Sequence, residues 1–98
     1  MTRVVLLPGL AEDLTRIVDH LDRHEAARRQ ERVDGILHAM DVLADNPMIA
    51  RALADDLREL IVGRDARGYV ALYRYLSEFG TVFVIAIRAQ REAGYTHD

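Results

Sequence analysis

Three absences in the sequence narrow what this chain can be. It contains no cysteine, which excludes disulfides, thiolate metal sites and a cysteine nucleophile. No apolar run approaches the roughly 20 residues that a membrane-spanning helix needs. Residues 1–7 are too short for a secretory leader, and Pro8 and Gly9 follow them at once. We therefore expect a cytoplasmic protein that does not enter a membrane, and the missing cysteine fits a reducing compartment.

Lysine is also absent, so all thirteen basic residues are arginines. Each of them can donate forked hydrogen bonds to a carboxylate or a phosphate. The formal net charge is nevertheless −3, whereas proteins that bind nucleic acid through its phosphates are usually basic. This net charge counts against extensive binding to RNA or DNA. It does not exclude a local basic patch on the surface.

The overall composition is that of a folded domain. Half of the 98 residues are apolar and 30% are charged, a balance typical of globular proteins rather than disordered chains. The length is enough for one hydrophobic core and too short for two. We expect a single domain over residues 1–98.

The first part of the chain predicts a strand followed by a helix. Residues 3–7 form a short apolar run, and Pro8 ends it because proline lacks a ladder donor. Apolar residues then recur at helical spacing, which predicts a helix from about Leu10 to His24. Glu12 and Asp13 are expected in its first turn, where the helix dipole favours anions.

A second apolar stripe predicts a second helix from about Ala27 to Ala44. Asn46 and Pro47 end it, because proline disfavours helix at the residue before it. Gly35 lies inside this helix at a cost of roughly 1 kcal/mol relative to alanine. We interpret residues 48–56 as a connector with at most one helical turn. The stripe comprises Val33, Ile36, Leu37, Met40, Val42 and Leu43.

The stretch from Arg58 to Tyr95 predicts a sheet. Three runs rich in Val, Ile, Tyr and Phe are separated by Gly68 and Gly80, which favour tight turns. We expect a three-stranded antiparallel meander. Strand alternation groups its side chains by face: Tyr69, Ala71, Tyr73 and Tyr75 against Val70, Leu72, Arg74 and Leu76, then Phe83, Ile85 and Ile87 against Val82, Val84 and Ala86.

These elements predict an α+β fold. An N-terminal strand precedes an α-helical hairpin, and the hairpin packs on a C-terminal three-stranded antiparallel meander. Each helix has one apolar stripe and needs a surface on which to bury it. We therefore expect the hairpin to cover one face of the sheet, leaving the other face partly open or covered by a partner.

Several stretches resemble the RelE/ParE superfamily of bacterial type II toxins. The weaker ones are AEDL at residues 11–14, Asn46-Pro47 and REL at residues 58–60. The most specific are GYVALYRY at residues 68–75 and VIAIRAQREAGY at residues 84–95. The latter is similar to the tail of a plasmid-stabilisation, ParE-like subgroup, whose members often end in Ile-Arg-His-Gln-(Lys/Arg)-Glu-Ala-Gly-Tyr. The resemblance spans nearly the whole chain and implies a RelE/ParE-like fold.

Two positions depart from the family pattern. Ala89 stands where that tail usually has histidine. Val70 stands where ribosome-dependent, mRNA-cleaving members tend to have arginine directly after Gly-Tyr. Such enzymes need several cations and acid–base groups around a scissile phosphate. Both departures therefore favour binding over cleavage.

The family's fold implies that Arg58, Arg74, Arg88, Arg91 and Tyr95 lie near one another. One interpretation is an anion site for an RNA phosphate or for an acidic patch on a target protein. Arginine would supply forked donors, and the tyrosine could take part in proton transfer. The alternative is that Arg58 and Arg74 pair with nearby carboxylates and close the sheet edge. The carboxylates available for this are Glu59, Glu78 and Glu92.

Other candidate groups point to structure rather than chemistry. His20 and His24 have the i, i+4 spacing of metal ligands, but no third ligand is clearly placed, so we predict no metal site. His38 is expected to be half-buried and to pack. The tyrosines could stack on bases, although core or interface tyrosine fits their arrangement better. No motif for a phosphate loop, a catalytic triad or a cofactor is present.

The resemblance implies a toxin of a type II toxin–antitoxin system, of the ParE-like kind and without a cofactor. Such a toxin would inhibit an essential target, with DNA gyrase the expected one, by binding rather than by catalysis. Arg88, Ala89, Gln90, Arg91 and Tyr95 would contact that target. A cognate antitoxin would neutralise it by covering the apolar groove beside the hairpin and the sheet. A homodimer and a toxin–antitoxin hetero-oligomer are both open.

Two alternatives remain open. In the first, the chain is a RelE-like, ribosome-dependent mRNA endoribonuclease. Arg58, Arg74, Arg88, Arg91 and Tyr95 would then bind phosphate and transfer protons. In the second, the fold has lost its toxicity and is kept for binding a partner.

Overall fold

The computed structural model describes residues 2–54, 56–63 and 68–91. Within these ranges, five strands form one sheet in the order β1-β5-β4-β3-β2, in which β1 is parallel to β5 and the other neighbours are antiparallel. Two α-helices lie between the first and second strands in the chain. The elements are β1 (Arg3–Leu6), α1 (Pro8–His24), a 3₁₀ turn (Ala26–Arg28), α2 (Arg29–Asp45), β2 (Arg51–Ala54), β3 (Leu57–Val62), β4 (Tyr69–Leu76), a 3₁₀ turn (Ser77–Phe79) and β5 (Thr81–Ala89).

The helical hairpin covers one face of the sheet, which confirms the predicted α+β architecture. The buried stripes of both helices meet the side chains that β3, β4 and β5 direct toward them. We call the other side the open face; among the described residues no helix packs on it. The core on the helix side comprises Leu10, Ile17, Leu21, Ile36, Ala39, Leu43, Ala50, Val62, Tyr69, Tyr73, Val82, Val84 and Ile87.

Helix α1 begins two residues earlier than predicted, at Pro8. Proline is favoured in the first helical turn because an N–H there would have no intrahelical partner, so its absence costs nothing, and the φ of proline is already helical. Glu12 and Asp13 consequently lie beyond the first turn, so their predicted dipole role is wrong. Asp13 is instead buried, with 1% of its surface exposed.

Asp13 takes the place of a missing strand partner. The pairing of β1 with β5 ends at Leu6 and Val84, and Leu7 donates its N–H to the Val84 carbonyl at 3.0 Å. Further along β5, the Ile87 N–H donates to Asp13 Oδ2 at 3.0 Å. A buried N–H needs a partner, and the carboxylate supplies it from α1.

Helix α2 follows a 3₁₀ turn and ends at Asp45, close to the predicted range. Ile36, Ala39 and Leu43 form its buried stripe. Leu37, predicted as part of that stripe, is 56% exposed, because it lies one position away from the buried row. His38 is exposed as well, so its predicted half-burial is wrong.

Gly35 provides a test of the energetics of α2. A Cβ added at this position would meet nothing within 4 Å, so we expect Gly35→Ala to raise the free energy of unfolding by about 0.5–1 kcal/mol. Urea denaturation followed by circular dichroism measures this. Gly63→Ala is the matched control: Gly63 has φ +95, and a Cβ there would lie 3.1 Å from the Gly68 Cα. Gly63→Ala should therefore destabilise the fold. A loss of stability in Gly35→Ala would contradict the prediction for α2.

Two features of the sheet differ from the sequence prediction. The predicted connector at residues 48–56 contains β2, which pairs along β3. In β5 a bulge shifts the register, because Leu72 is opposite Ala86 whereas Tyr73 is opposite Val84. The extra residue reverses the alternation, so Ile87 joins the core on the helix side instead of sharing a face with Phe83.

Candidate target-binding surface

Arg88 lies on the open face near the end of β5. Its register partner is Val70 on β4, and Val70 is buried. Its Nη1 donates to the carbonyls of Ala89 at 3.2 Å and Gln90 at 3.4 Å. The guanidinium group therefore lies along the backbone of the segment predicted to contact the target.

Arg74 lies on the same face, nearer the other end of the sheet. It is opposite Phe83 on β5 and Leu57 on β3. Its Nη1 pairs with the carboxylate of Asp56, and 48% of its side chain is exposed. The predicted pairing with a carboxylate is thus present, although the partner is Asp56 rather than a glutamate.

Arg58 lies on the opposite face, among the core side chains. It is opposite Tyr73 on β4. Its Nη1 donates to the carbonyls of Met48 at 3.3 Å and Ala50 at 2.7 Å. The Tyr73 hydroxyl donates to the Pro47 carbonyl at 2.8 Å. Both side chains hold the segment between α2 and β2, so Arg58 does not share a surface with Arg74 and Arg88.

Ala89 and Arg91 border a cavity on the helix side of the sheet. Its volume is about 400 Å³. Ala89 lies opposite Tyr69, and the Gln90 N–H donates to the Gly68 carbonyl at 3.0 Å. A residue larger than alanine at position 89 would extend into this space. The lining consists of Arg16, Ile17, His20, Glu25, Tyr69, Ala89 and Arg91.

Tyr69 forms a wall of this cavity and is 7% exposed. Burial raises its pKa above that of a free tyrosine, while nearby Arg32 acts to lower the pKa and Glu25 to raise it. The hydroxyl is therefore protonated at neutral pH and can donate a hydrogen bond without acting as a base. Tyr95, the predicted proton-transfer group, lies outside the described residues.

Charge is divided between the two layers, a feature that net charge alone conceals. The described strands carry five arginines and one glutamate, a formal charge of +4. Helices α1 and α2 carry eight acidic residues and four arginines, a formal charge of −4. Register and alternation place Arg3, Arg51, Arg74 and Arg88 on the open face, with Glu59. The local basic patch that the sequence left open is on the sheet.

The histidine pair on α1 forms a ring contact. The centroids of His20 and His24 lie 4.7 Å apart, with an interplanar angle of 42°. Among residues 2–54, 56–63 and 68–91, no group of three or more His, Cys, Asp or Glu side chains could hold a metal ion. Within the same ranges, no helix is long and apolar enough to cross a membrane.

Solved structures place this architecture in a known class. The chain is similar to a chain of the Escherichia coli RelBE toxin–antitoxin complex, with 13% identity and a TM-score of 0.58 over 89% of this chain and 94% of that one. It is also similar to the isolated E. coli RelE toxin, with 14% identity and a TM-score of 0.60 over 95% of this chain and 89% of that one. These likenesses establish a RelE-like fold.

The sequence identifies the family within that class. The profile of the ParE toxin of type II toxin–antitoxin systems (parDE) matches residues 4–94. The chain therefore belongs to the ParE toxin family, and it is the toxin component of a type II toxin–antitoxin system whose partner is a cognate antitoxin. Among curated proteins, none is similar enough in sequence to count as a match.

Proposed function

We propose that this toxin acts in the cytoplasm by binding DNA gyrase, and that the end of β5 and the segment after it make the contact. The contact residues would be Arg88, Ala89, Gln90 and Arg91, together with Tyr95. Arg91 is exposed, and the Arg88 guanidinium lies against the carbonyls of the next two residues. The cognate antitoxin would neutralise the toxin by binding it.

The separation of the arginines is the observation that carries this proposal. Arg58 lies on the helix side, where it binds two backbone carbonyls. Arg88 is opposite Val70, and Arg74 follows Val70 four positions along β4, which is about 13 Å at 3.3 Å per residue. Cations that stabilise one reacting phosphate must converge on it. An arrangement spread along the sheet supports binding to an extended surface instead.

A supercoiling assay tests the proposed target. Purified toxin is expected to inhibit gyrase at near-stoichiometric concentrations. Arg88→Glu and Arg91→Glu should each raise the half-inhibitory concentration by about tenfold or more, because a reversed charge opposes an electrostatically matched contact. Arg23→Glu is a matched charge reversal on α1, outside the proposed contact, and should stay within about twofold of the wild type. Unaffected gyrase at a stoichiometric excess of toxin would remove gyrase as the target.

The basic sheet favours a second candidate, a ribosome-dependent mRNA endoribonuclease. Arg3, Arg51, Arg74 and Arg88 outnumber the two carboxylates paired with them, Glu59 on Arg51 and Asp56 on Arg74. The open face is therefore basic on balance despite the net charge of −3, and such a face could lie along RNA phosphates. Primer-extension mapping of mRNA after induction separates the two candidates. Specific cuts in the ribosomal A site would establish the nuclease. Intact mRNA together with defective supercoiling of cellular DNA would support gyrase as the target. Absence of growth arrest without the antitoxin would exclude both.

A further inference from the structure

One cavity on the helix side of the sheet has both the size and the lining of a ligand site. It is the space of about 400 Å³ beside Ala89 that was described with the target-binding surface, and we call it the Ala89 cavity. Protein interiors are closely packed and rarely leave voids much larger than a water molecule, whereas pockets for small ligands begin at roughly 300 Å³. The Ala89 cavity therefore has the volume of a binding pocket rather than of a packing defect.

The apolar wall of this cavity is formed before any ligand arrives. Ala89 on β5 lies opposite Tyr69 on β4, and the single methyl group of the alanine leaves room that Tyr69 and Ile17 border. Both of these larger side chains belong to the core, with 7% and 5% of their surfaces exposed. Binding costs less when the contacting side chains are already ordered. The wall is thus ready to take an apolar group.

The shape of the other lining groups favours an aromatic ligand over an aliphatic one. Four of the seven lining residues carry a ring or a guanidinium group, namely Arg16, His20, Tyr69 and Arg91. Rings pack on one another in stacked or edge-to-face arrangements, and guanidinium groups stack on aromatic faces. A flat ring can make these contacts on several sides at once, which an aliphatic group of the same size cannot.

The charges of the lining favour an anion at the rim. Arg16 pairs with Asp13 at 3.3 Å, and Glu25, the acidic member of the lining, lies 3.9 Å from Arg32. Arg91 is exposed and has no ion-pair partner within the described ranges. Its forked donors match a carboxylate. The cavity therefore combines an apolar interior with one available cation at its edge.

We propose that the Ala89 cavity binds a small aromatic carboxylate, with the ring against Ile17 and Tyr69 and the carboxylate on Arg91. The ring enters where Ala89 leaves room, while the anion stays at the exposed rim and keeps a partner, so no charge is buried alone. Ala89 and Arg91 also belong to the proposed gyrase contact. An occupied cavity should therefore compete with gyrase, and only this consequence rests on the proposed function.

Titration of the intact, methyl-labelled chain with indole-3-acetate tests the site. A ligand of about 13 non-hydrogen atoms should bind with a dissociation constant on the order of 0.1–1 mM at ordinary affinity per atom. The NMR signals of the Ile17 and Ala89 methyl groups should shift and saturate together. Those of Ile36 and Ile61, which do not line the cavity, should stay in place. Tryptamine has the same ring with a cation instead of the carboxylate, and it should bind at least about tenfold more weakly.

Two variants separate the contribution of the ring from that of the carboxylate. Ala89→Leu fills the cavity and should weaken binding by about tenfold or more, whereas Arg91→Gln removes the cation and should weaken it by about fivefold or more. Ala11→Leu and Arg23→Gln make the same changes at exposed positions of α1 outside the cavity, and they should stay within about twofold of the wild type. Circular dichroism checks that each variant is folded.

Several results would overturn the proposal. Shifts that never saturate, or that are equally large at Ile36 and Ile61, would show that nothing binds in the cavity. Equal binding of tryptamine, or undiminished binding by Ala89→Leu, would contradict it as well. Tighter binding by Tyr95→Ala would assign the cavity to the chain's own residues 92–98 instead.

The source of the carboxylate is distinguished by a second probe. A tripeptide that ends in tryptophan has the same ring and a free carboxylate on a longer body. Tighter binding of this peptide than of indole-3-acetate would point to the end of a polypeptide chain as the natural ligand, and weaker binding would point to a small acid. None of these titrations contains gyrase, so a failure of the cavity proposal is distinct from a failure of the proposed target.

Discussion

Replacing Asp13 with leucine is expected to lower the free energy of unfolding by about 2–3 kcal/mol, because the buried Ile87 N–H loses a charge-assisted acceptor. Asp13 is 1% exposed, and its Oδ2 accepts from the Ile87 N–H at 3.0 Å. For a chain of this size, that loss lowers the melting temperature by roughly 10–20 °C. Thermal and urea unfolding of the two proteins measure the difference.

Asp13→Asn is the matched control for this prediction. The amide keeps one oxygen that can accept from Ile87, so about half of the loss should be recovered. Arg16 contacts the other carboxylate oxygen at 3.3 Å, and its partly exposed side chain can turn to solvent. Equal stability of the leucine variant and the wild type would show that the carboxylate does not hold β5.

The hairpin and the meander could be predicted because their signals are local. Apolar residues at helical spacing place the α1 stripe on one side whatever surface it packs against. Alternation in β4 likewise assigned Tyr73 to one face and Arg74 to the other, as the structure has them. In both cases the pattern follows from the geometry of a single element.

Features that depend on distant residues could not be predicted in this way. Asp13 resembles any acidic residue near a helix start, and its role follows from β1 ending at Leu6, which leaves the Ile87 N–H without a partner on β1. Residues 51–54 give little strand signal, because an Ala-Leu-Ala sequence forms β2 only where β3 offers an edge. The bulge in β5 also depends on its pairing with β4.

The candidate site was predictable only by residue type. Arginines on strands were visible in the sequence, but the face that each occupies depends on register. Arg58 and Arg74 lie on opposite sides of the sheet because the register between β3 and β4 offsets them by one residue. Neighbouring positions along a strand face opposite sides. The net charge of −3 concealed the basic sheet, because the acidic excess lies on the helices. Composition left a local basic patch open, and only the fold assigns that patch to the sheet layer.

Arg58→Met is expected to lower the free energy of unfolding by about 2–3 kcal/mol while leaving target binding intact. The methionine keeps much of the apolar stem but leaves the carbonyls of Met48 and Ala50 without their donor. Tyr73→Phe should cost about 1–1.5 kcal/mol, because Pro47 loses its hydrogen bond. Both variants release the same segment, so the double variant should lose less than the two single losses together.

The functional outcome of these variants separates a structural arginine from a catalytic one. Measured below its unfolding transition, Arg58→Met should inhibit gyrase as the wild type does. If Arg58 instead bound a phosphate for catalysis, the variant would lose mRNA cleavage at any temperature.

The Tyr73 hydroxyl has its own signature in alkali, since burial raises its pKa above that of a free tyrosine. Its contribution is complete below the unfolded pKa of about 10 and is lost as the pH rises through the folded value. Tyr73→Phe should therefore lose less stability above that pH than the wild type, and an identical alkaline profile would contradict the burial of this hydroxyl. If Arg58→Met keeps full stability and loses activity, Arg58 belongs to the functional site and the connector is held by other contacts.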